Sequence, residues 1–115
     1  MRRLTAALAL VLTAVPAFAQ EIETEAGVMR ADEVLSDLDA PWAFGFLPDG
    51  TILVTERGGR LWAVCDGQRI EVAGLPRIHV QQQGGLLDVL VPRDFSERRE
   101  IFLTYAKPMG EGESA

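Results

Sequence analysis

The sequence predicts an all-β fold of the β-propeller type. From Trp42 to Ala73, four short segments rich in β-branched and aromatic residues alternate with turns that contain Gly, Pro and Asp. The same pattern restarts after Gly85, so that Pro48 is matched by Pro92. A four-stranded unit that recurs at about 40 to 50 residues is typical of a propeller blade. An ordinary β-sandwich of short strands is the alternative that these patterns leave open.

Residues 1–19 have the features of a secretory signal peptide. Two arginines precede an apolar stretch, which ends in Ala17-Phe18-Ala19, a small-x-small sequence of the kind that signal peptidase cleaves. A transmembrane anchor would need about 20 apolar residues in a row, and threonines and Pro16 interrupt this stretch. We therefore expect export to the periplasm or the medium, without insertion into the membrane.

The mature chain is predicted to be acidic and to contain two parts. Removing residues 1–19 takes away two of the 11 Lys and Arg and none of the 17 Asp and Glu, which changes the net charge from −6 to −8. Such a surface repels phosphate groups, so nucleic acid and anionic membranes are poor partners. Residues 20–34 form a lead-in segment with a solvated strand or tail, EIETE, and a strand or short helix, VMRADEVL. Residues 35–115 form the N-terminal part of the propeller, which is incomplete.

The first blade is predicted as a four-stranded antiparallel meander with the strands WAFGF, TILVTE, RLWAV and RIEVA. Its corners, Asp49-Gly50, Gly58-Gly59 and Asp66-Gly67, supply the positive φ angles that tight hairpins need. Cys65, the only cysteine, is a small strand or turn residue that has no disulfide partner and no metal role. Trp42 and Trp62 have the spacing of core residues between blades.

The next blade begins with the strand LLDVLV, continues through the polar connection PRDFSERRE and reaches a second strand, IFLTYA. Asp88 lies inside the first of these strands, where an acid needs a partner, and we expect a hydrogen bond to neighbouring backbone. Glu56-Arg57, at a strand end, is expected to be a solvated turn pair. His79 is interpreted as an ordinary loop residue.

The cluster Gln81-Gln82-Gln83-Gly84-Gly85 is a candidate binding loop. In a propeller the innermost strand of each blade runs along the central channel, so the loop that enters this strand lies at the channel mouth. Glycines allow the backbone to approach a ligand closely, and a carboxamide is both donor and acceptor. A plain surface loop is the alternative.

Four motifs follow each other within residues 35–106: Pro41-Trp42, Leu47-Pro48-Asp49-Gly50, Val54-Thr55-Glu56-Arg57 and Gln83-Gly84-Gly85-Leu86-Leu87-Asp88. In this order they resemble the N-terminal part of the soluble pyrroloquinoline-quinone (PQQ)-dependent sugar dehydrogenases, the glucose/sorbosone dehydrogenase family. The resemblance implies a six-bladed propeller, in many members with calcium. It also implies that the C1 hydroxyl of an aldose is oxidised to the lactone by hydride transfer to the quinone.

The resemblance assigns one site residue to this chain. Gln83 occupies the position of a family glutamine that contacts the cofactor, whereas the glycine that usually precedes it is Gln82 here. The family's catalytic base, a histidine on a later blade, and its calcium ligands and other quinone ligands correspond to positions after residue 115. The resemblance therefore implies no catalytic or metal residue within this chain, and it leaves the electron acceptor open.

Two hypotheses of different class remain at this point. The chain is the N-terminal piece of a quinone-dependent sugar dehydrogenase and does not turn over alone, or it is a stand-alone secreted β module with a binding role and no catalysis. Continuation of the reading frame past codon 115 into further blades favours the first hypothesis.

We predict that these 115 residues do not fold stably alone. Propeller blades bury their faces against two neighbours, and one and a half blades would leave apolar faces and an open strand edge exposed. Circular dichroism of the purified monomer should show no cooperative thermal transition, and a cooperative transition would contradict the prediction.

Overall fold

A computed structural model describes residues 19–110 of the chain, which forms two compact units, one up to Val34 and one from Leu35 onward. The first unit contains an antiparallel hairpin of β1 (Gln20–Thr24) and β2 (Gly27–Ala31), whose side chains are all exposed. The segment VMRADEVL is therefore a strand up to Ala31 rather than a helix. The predicted signal peptide lies outside the described residues except for its last residue.

The second unit begins with a four-stranded antiparallel sheet, as predicted. Its strands follow each other in chain order and are β3 (Pro41–Phe46), β4 (Ile52–Glu56), β5 (Arg60–Cys65) and β6 (Gln68–Glu71). Within residues 19–110, no helix is long and apolar enough to cross a membrane.

The predicted turn residues form the corners of this sheet. At the first corner the Leu47 amide donates to the Thr51 carbonyl (2.8 Å) and the Thr51 amide donates to Asp49 Oδ1 (2.9 Å), which lowers the pKa of the Asp49 carboxyl. At the third corner both Asp66 and Gly67 have positive φ angles, 51° and 72°, as a type I′ hairpin turn requires. Local turn chemistry therefore sets the register of the meander.

A second, two-stranded sheet pairs β7 (Leu86–Leu90) with β8 (Phe102–Tyr105) in antiparallel fashion. The connection between them, predicted to be merely polar, contains a short helix, α1 (Phe95–Arg98). Phe95 is buried, and the Arg99 guanidinium lies 5.0 Å from the centre of its ring. Asp94, at the N-terminus of this helix, makes no side-chain capping hydrogen bond.

The core lies where β7 packs against the first sheet. Its buried members are Leu53, Leu61, Leu86 and Val89. Gly45 of β3 lies against β7 and the residue that follows it, because a Cβ on Gly45 would lie 3.8 Å from a methyl group of Val89 and 3.3 Å from one of Val91. Alternation along the strand then places the aromatic residues of β3 on the opposite face.

The interpretation of Trp42 and Trp62 as core residues between blades stays a prediction. Trp42 is 50% exposed, and Phe44 and Phe46 of the same strand are 66% and 60% exposed. The two phenylalanine rings meet edge to face, with centroids 5.8 Å apart. Trp62 is half-buried and lies outside the core cluster, beside a buried carboxylate described below.

Thr55 is completely buried and joins the two sheets through its hydroxyl group. Thr55 Oγ1 lies 2.6 Å from the Leu87 carbonyl oxygen, to which it donates, and it accepts a hydrogen bond from the Ala43 amide (3.1 Å). One hydroxyl group thus connects β3, β4 and β7.

We predict that Thr55→Val lowers the free energy of unfolding by about 1 to 3 kcal/mol, because the substitution keeps the shape and leaves buried polar groups without a partner. Urea denaturation of the protein as its gene encodes it measures this loss. Thr104→Val is the matched control, since Thr104 is exposed and accepts one hydrogen bond from the Asp88 amide. It should cost less than about 1 kcal/mol, and equal losses at both positions would contradict the role of Thr55.

Candidate functional site

The three glutamines form a tight turn directly before β7. The Gly84 amide donates to the Gln81 carbonyl (2.8 Å), and the Gln81 amide donates to the Gly84 carbonyl (3.2 Å). Gln82 and Gln83 are the two central residues of this turn. The polar cluster is therefore an ordered hairpin loop at the entrance of the strand, where the sequence predicted an entry loop.

Gln82 adopts a backbone conformation that favours glycine. Its φ angle is +53°, whereas that of Gln83 is not positive, a combination found in type II′ turns, whose first central residue is usually glycine. An L-residue in the left-handed region costs roughly 1 to 2 kcal/mol. The glycine that the resemblance implies at this position would adopt this backbone conformation without strain, whereas this chain bears the strain with glutamine.

Gln83 presents a free carboxamide. Its side chain is exposed, and among the described residues 19–110 it has no hydrogen-bond partner. A carboxamide offers two N–H donors and one carbonyl acceptor. The turn therefore displays an unused polar group from a fixed backbone position.

Arg57 lies beneath the turn, and the prediction that Glu56 and Arg57 form a solvated pair is wrong. Arg57 is half-buried, and its Nη1 donates to the Gln82 carbonyl (2.7 Å) and, more weakly, to the Gly84 carbonyl (3.4 Å). Glu56 is only 3% exposed. The two side chains follow each other in sequence but belong to two different hydrogen-bond networks.

Gly85 makes the contact between Arg57 and the turn possible. A Cβ at this position would lie 2.2 Å from the Arg57 carbonyl oxygen and 2.7 Å from its Cγ. The Leu86 amide donates to the same carbonyl oxygen (3.0 Å). The sequence predicted that the glycines of this loop allow close approach to a ligand, but the close approach of Gly85 is to the chain's own backbone.

Glu56 anchors the segment that enters β3. One carboxylate oxygen accepts a hydrogen bond from Trp62 Nε1 (2.6 Å), and the other accepts one from the Asp39 amide. The Arg69 guanidinium covers the Trp62 ring at 4.7 Å and donates to the Asp37 carbonyl (3.1 Å). Sequence analysis missed this network, although Glu56 and Trp62 are diagonal neighbours across a hairpin, an arrangement that allows contact.

Two further candidate residues have local partners. Asp88 is exposed, and its Oδ1 accepts a hydrogen bond from the Val89 amide (2.9 Å), which confirms the predicted bond to neighbouring backbone. His79 is exposed, with its Nε2 located 2.9 Å from Gln81 Oε1, while its backbone amide donates to the Ala106 carbonyl (2.8 Å). The interpretation of His79 as an ordinary loop residue stays a prediction.

The described part of the chain offers no obvious metal site. Among residues 19–110, no group of three or more His, Cys, Asp or Glu side chains is placed to hold an ion. Cys65 is an exposed free thiol at the end of β5.

An open cleft of about 240 Å³ is lined by Pro76, Arg77, Tyr105, Lys107 and Pro108.

Comparison with known proteins identifies the family. The family model for Glucose / Sorbosone dehydrogenase matches residues 38–115. The chain belongs to this family. Aldose sugar dehydrogenase YliI of Escherichia coli is 43% identical over 86 residues, which are 71% of this chain and 23% of the relative. The chain thus spans about a quarter of the length of that relative.

Solved structures have a fold similar to that of this chain. The soluble aldose sugar dehydrogenase of Escherichia coli in its apo form is 41% identical, with a TM-score of 0.60, and the match covers 65% of this chain and 22% of that one. The PQQ-bound form of an aldose sugar dehydrogenase from Streptomyces coelicolor is 23% identical, with a TM-score of 0.61 and coverage of 81% and 27%. The predicted propeller fold is confirmed, with β3 to β6 as one blade and β7 and β8 as the start of the next.

We predict that Gly85→Ala lowers the free energy of unfolding by about 3 kcal/mol or more, because the added methyl group would overlap backbone atoms of Arg57 that cannot move without breaking the sheet contact. Gly58→Ala is the control, since a Cβ there meets nothing within 4 Å and its φ is not in the left-handed region. It should change stability by less than about 0.5 kcal/mol. Chemical denaturation of both variants measures the difference, and similar values would contradict the prediction.

Proposed function

We propose that the protein to which this chain belongs is a PQQ-dependent sugar dehydrogenase that oxidises the C1 hydroxyl of aldoses to lactones. Family membership supports the reaction class. The observation that carries the proposal to this chain is the free carboxamide of Gln83, displayed by an ordered turn at the entrance of β7.

The residues present fit one edge of a flat, polar cofactor. PQQ carries carbonyl and carboxylate oxygens, which accept hydrogen bonds, and the Gln83 amide group has two donors without a partner among the described residues. Gln83 would therefore hold the quinone by donating to one of these oxygens. When bound, the quinone supplies the acceptor for the hydride that leaves C1, while the hydroxyl proton passes to a base.

Neither that base nor a calcium site is assigned to residues of this chain. His79 interacts with Gln81 Oε1 on the turn, and we propose no proton transfer for it. Calcium is proposed for the protein as a whole from its family resemblance, but no set of ligands for it is present among residues 19–110. We derive no step of the reaction through this ion.

We further propose that the protein works outside the cytoplasm on a small-molecule sugar. The signal-like features of residues 1–19 support export, since a charged start, an apolar stretch and a small-residue cleavage site occur together there. N-terminal sequencing of the mature protein from its own organism tests this, and a chain that retains residues 1–19 would contradict it.

Reconstitution of the protein encoded by the native gene tests the catalytic proposal. With PQQ and calcium added, an aldose should reduce an artificial dye, and Gln83→Ala should lower this activity about tenfold at limiting PQQ, because one hydrogen bond to the cofactor is lost. Gln68→Ala is the matched control, since Gln68 is an exposed glutamine at the start of β6, and it should leave activity unchanged.

The two hypotheses from the sequence predict different outcomes of this assay. Aldose-dependent reduction that requires PQQ supports the dehydrogenase. If the protein binds no quinone and reduces no dye, the proposal fails and a binding role without catalysis is favoured. If activity is present but Gln83→Ala behaves like Gln68→Ala, the reaction class stands and the role of Gln83 is refuted.

A further inference from the structure

We infer that Arg57 is a positioning residue that holds Gln83 in the orientation needed to bind the quinone. This inference rests on the proposed function. Arg57 does not touch the cofactor in this proposal and acts through the Gln82 carbonyl, which precedes Gln83, and the Gly84 carbonyl, which follows it. The hydrogen bonds of the Arg57 side chain and backbone support this inference.

The Arg57 guanidinium bonds to the backbone before and after Gln83. Its Nη1 donates to the Gln82 carbonyl at 2.7 Å and approaches the Gly84 carbonyl at 3.4 Å. Hydrogen bonds from a charged donor are shorter and stronger than those between neutral groups. One cation thus holds the peptide group between Gln82 and Gln83 and, more weakly, the Gly84 carbonyl, one residue after Gln83.

The turn needs this support because its first central residue is strained. Gln82 has a φ angle of +53°, which an L-residue adopts only at a cost. The hydrogen bond to its carbonyl opposes relaxation to a negative φ angle. Without Arg57, rotation of the backbone at Gln82 would carry the neighbouring Gln83 carboxamide away from its position.

Arg57 is itself firmly anchored. Its backbone amide donates to the Ala40 carbonyl (3.0 Å), and its carbonyl accepts from the Leu86 amide (3.0 Å). The missing Cβ of Gly85 allows this backbone to lie directly against β7. The guanidinium therefore starts from a backbone fixed to Ala40, directly before β3, and to β7, as a positioning group requires.

The cationic charge of Arg57 adds a second contribution at the same place. Within residues 19–110 no carboxylate forms an ion pair with it. An uncompensated, half-buried cation raises the electrostatic potential around the turn. A ligand that carries carboxylates, as PQQ does, is favoured next to such a charge.

A double-mutant cycle on the protein encoded by the native gene tests the inference. Binding of PQQ to the apo protein is followed by quenching of tryptophan fluorescence in wild type, Arg57→Ala, Gln83→Ala and the double variant. We expect each single substitution to raise the Kd for PQQ about tenfold. If Arg57 acts mainly through Gln83, the double variant should bind little more weakly than Gln83→Ala alone, because the positioned group is already absent.

A measurement without ligand separates positioning from a general loss of stability. The Gly84 amide, which is bonded to the Gln81 carbonyl, should exchange its hydrogen at least tenfold faster in Arg57→Ala, while amides in the centre of β4 keep their exchange rates. If Arg57→Ala does not fold, Arg57→Lys replaces it in the cycle. The lysine ammonium keeps the charge but lacks the planar arrangement of N–H donors of the guanidinium. We expect Arg57→Lys to raise the Kd for PQQ about threefold.

The possible results distinguish this inference from the proposed function. If Gln83→Ala leaves the Kd for PQQ unchanged, the proposed contact of Gln83 fails together with the inference. If Gln83→Ala weakens binding but Arg57→Ala does not, or if the two effects add in full, the positioning role is overturned and the contact of Gln83 stands. Accelerated exchange throughout β4 would likewise overturn it, because Arg57 would then be a general stabilising residue.

Discussion

The Thr55 hydroxyl donates to the Leu87 carbonyl across the boundary between the two sheets, and two residues later the Arg57 carbonyl accepts from the Leu86 amide. These bonds hold the backbone of β7 directly against the end of β4. The two backbones lie closer together than they could if a side chain stood between them. The glycine at position 85 is the condition for this approach, since any Cβ would overlap Arg57. Packing of the core residues Leu53 and Leu86 follows from the same contact.

This junction also determines where the candidate site lies. The glutamine turn leads directly into β7, so the bonds that place β7 also place the turn. Arg57 then extends from the junction to the carbonyl groups of the turn. In the proposed function, stability and binding of the quinone are therefore coupled at this point, because a substitution that separates β4 from β7 would move the Gln83 carboxamide as well.

The sequence predicted those features that depend on neighbouring residues. The meander follows from alternating apolar residues and from turns such as Asp66-Gly67, whose conformational preferences are local. It did not predict the burial of Glu56, because one of the partners of this carboxylate, the Asp39 amide, is 17 residues away. Nor did it predict the role of Arg57, whose contact to the Gly84 carbonyl spans 27 residues. Long-range hydrogen bonds of polar side chains leave no periodic signal in a sequence.

Gln82 shows how a departure from the family pattern can be compatible with the same site. A glycine would adopt the left-handed conformation without strain, but it would lose more conformational entropy on folding than glutamine does. The smaller entropy loss of glutamine on folding therefore offsets part of the steric strain at Gln82. The charged hydrogen bond from Arg57 to the Gln82 carbonyl offsets more of this strain. The turn forms both hydrogen bonds between Gln81 and Gly84 with glutamine at this position. In the proposed function, this closed turn presents the Gln83 carboxamide to the cofactor.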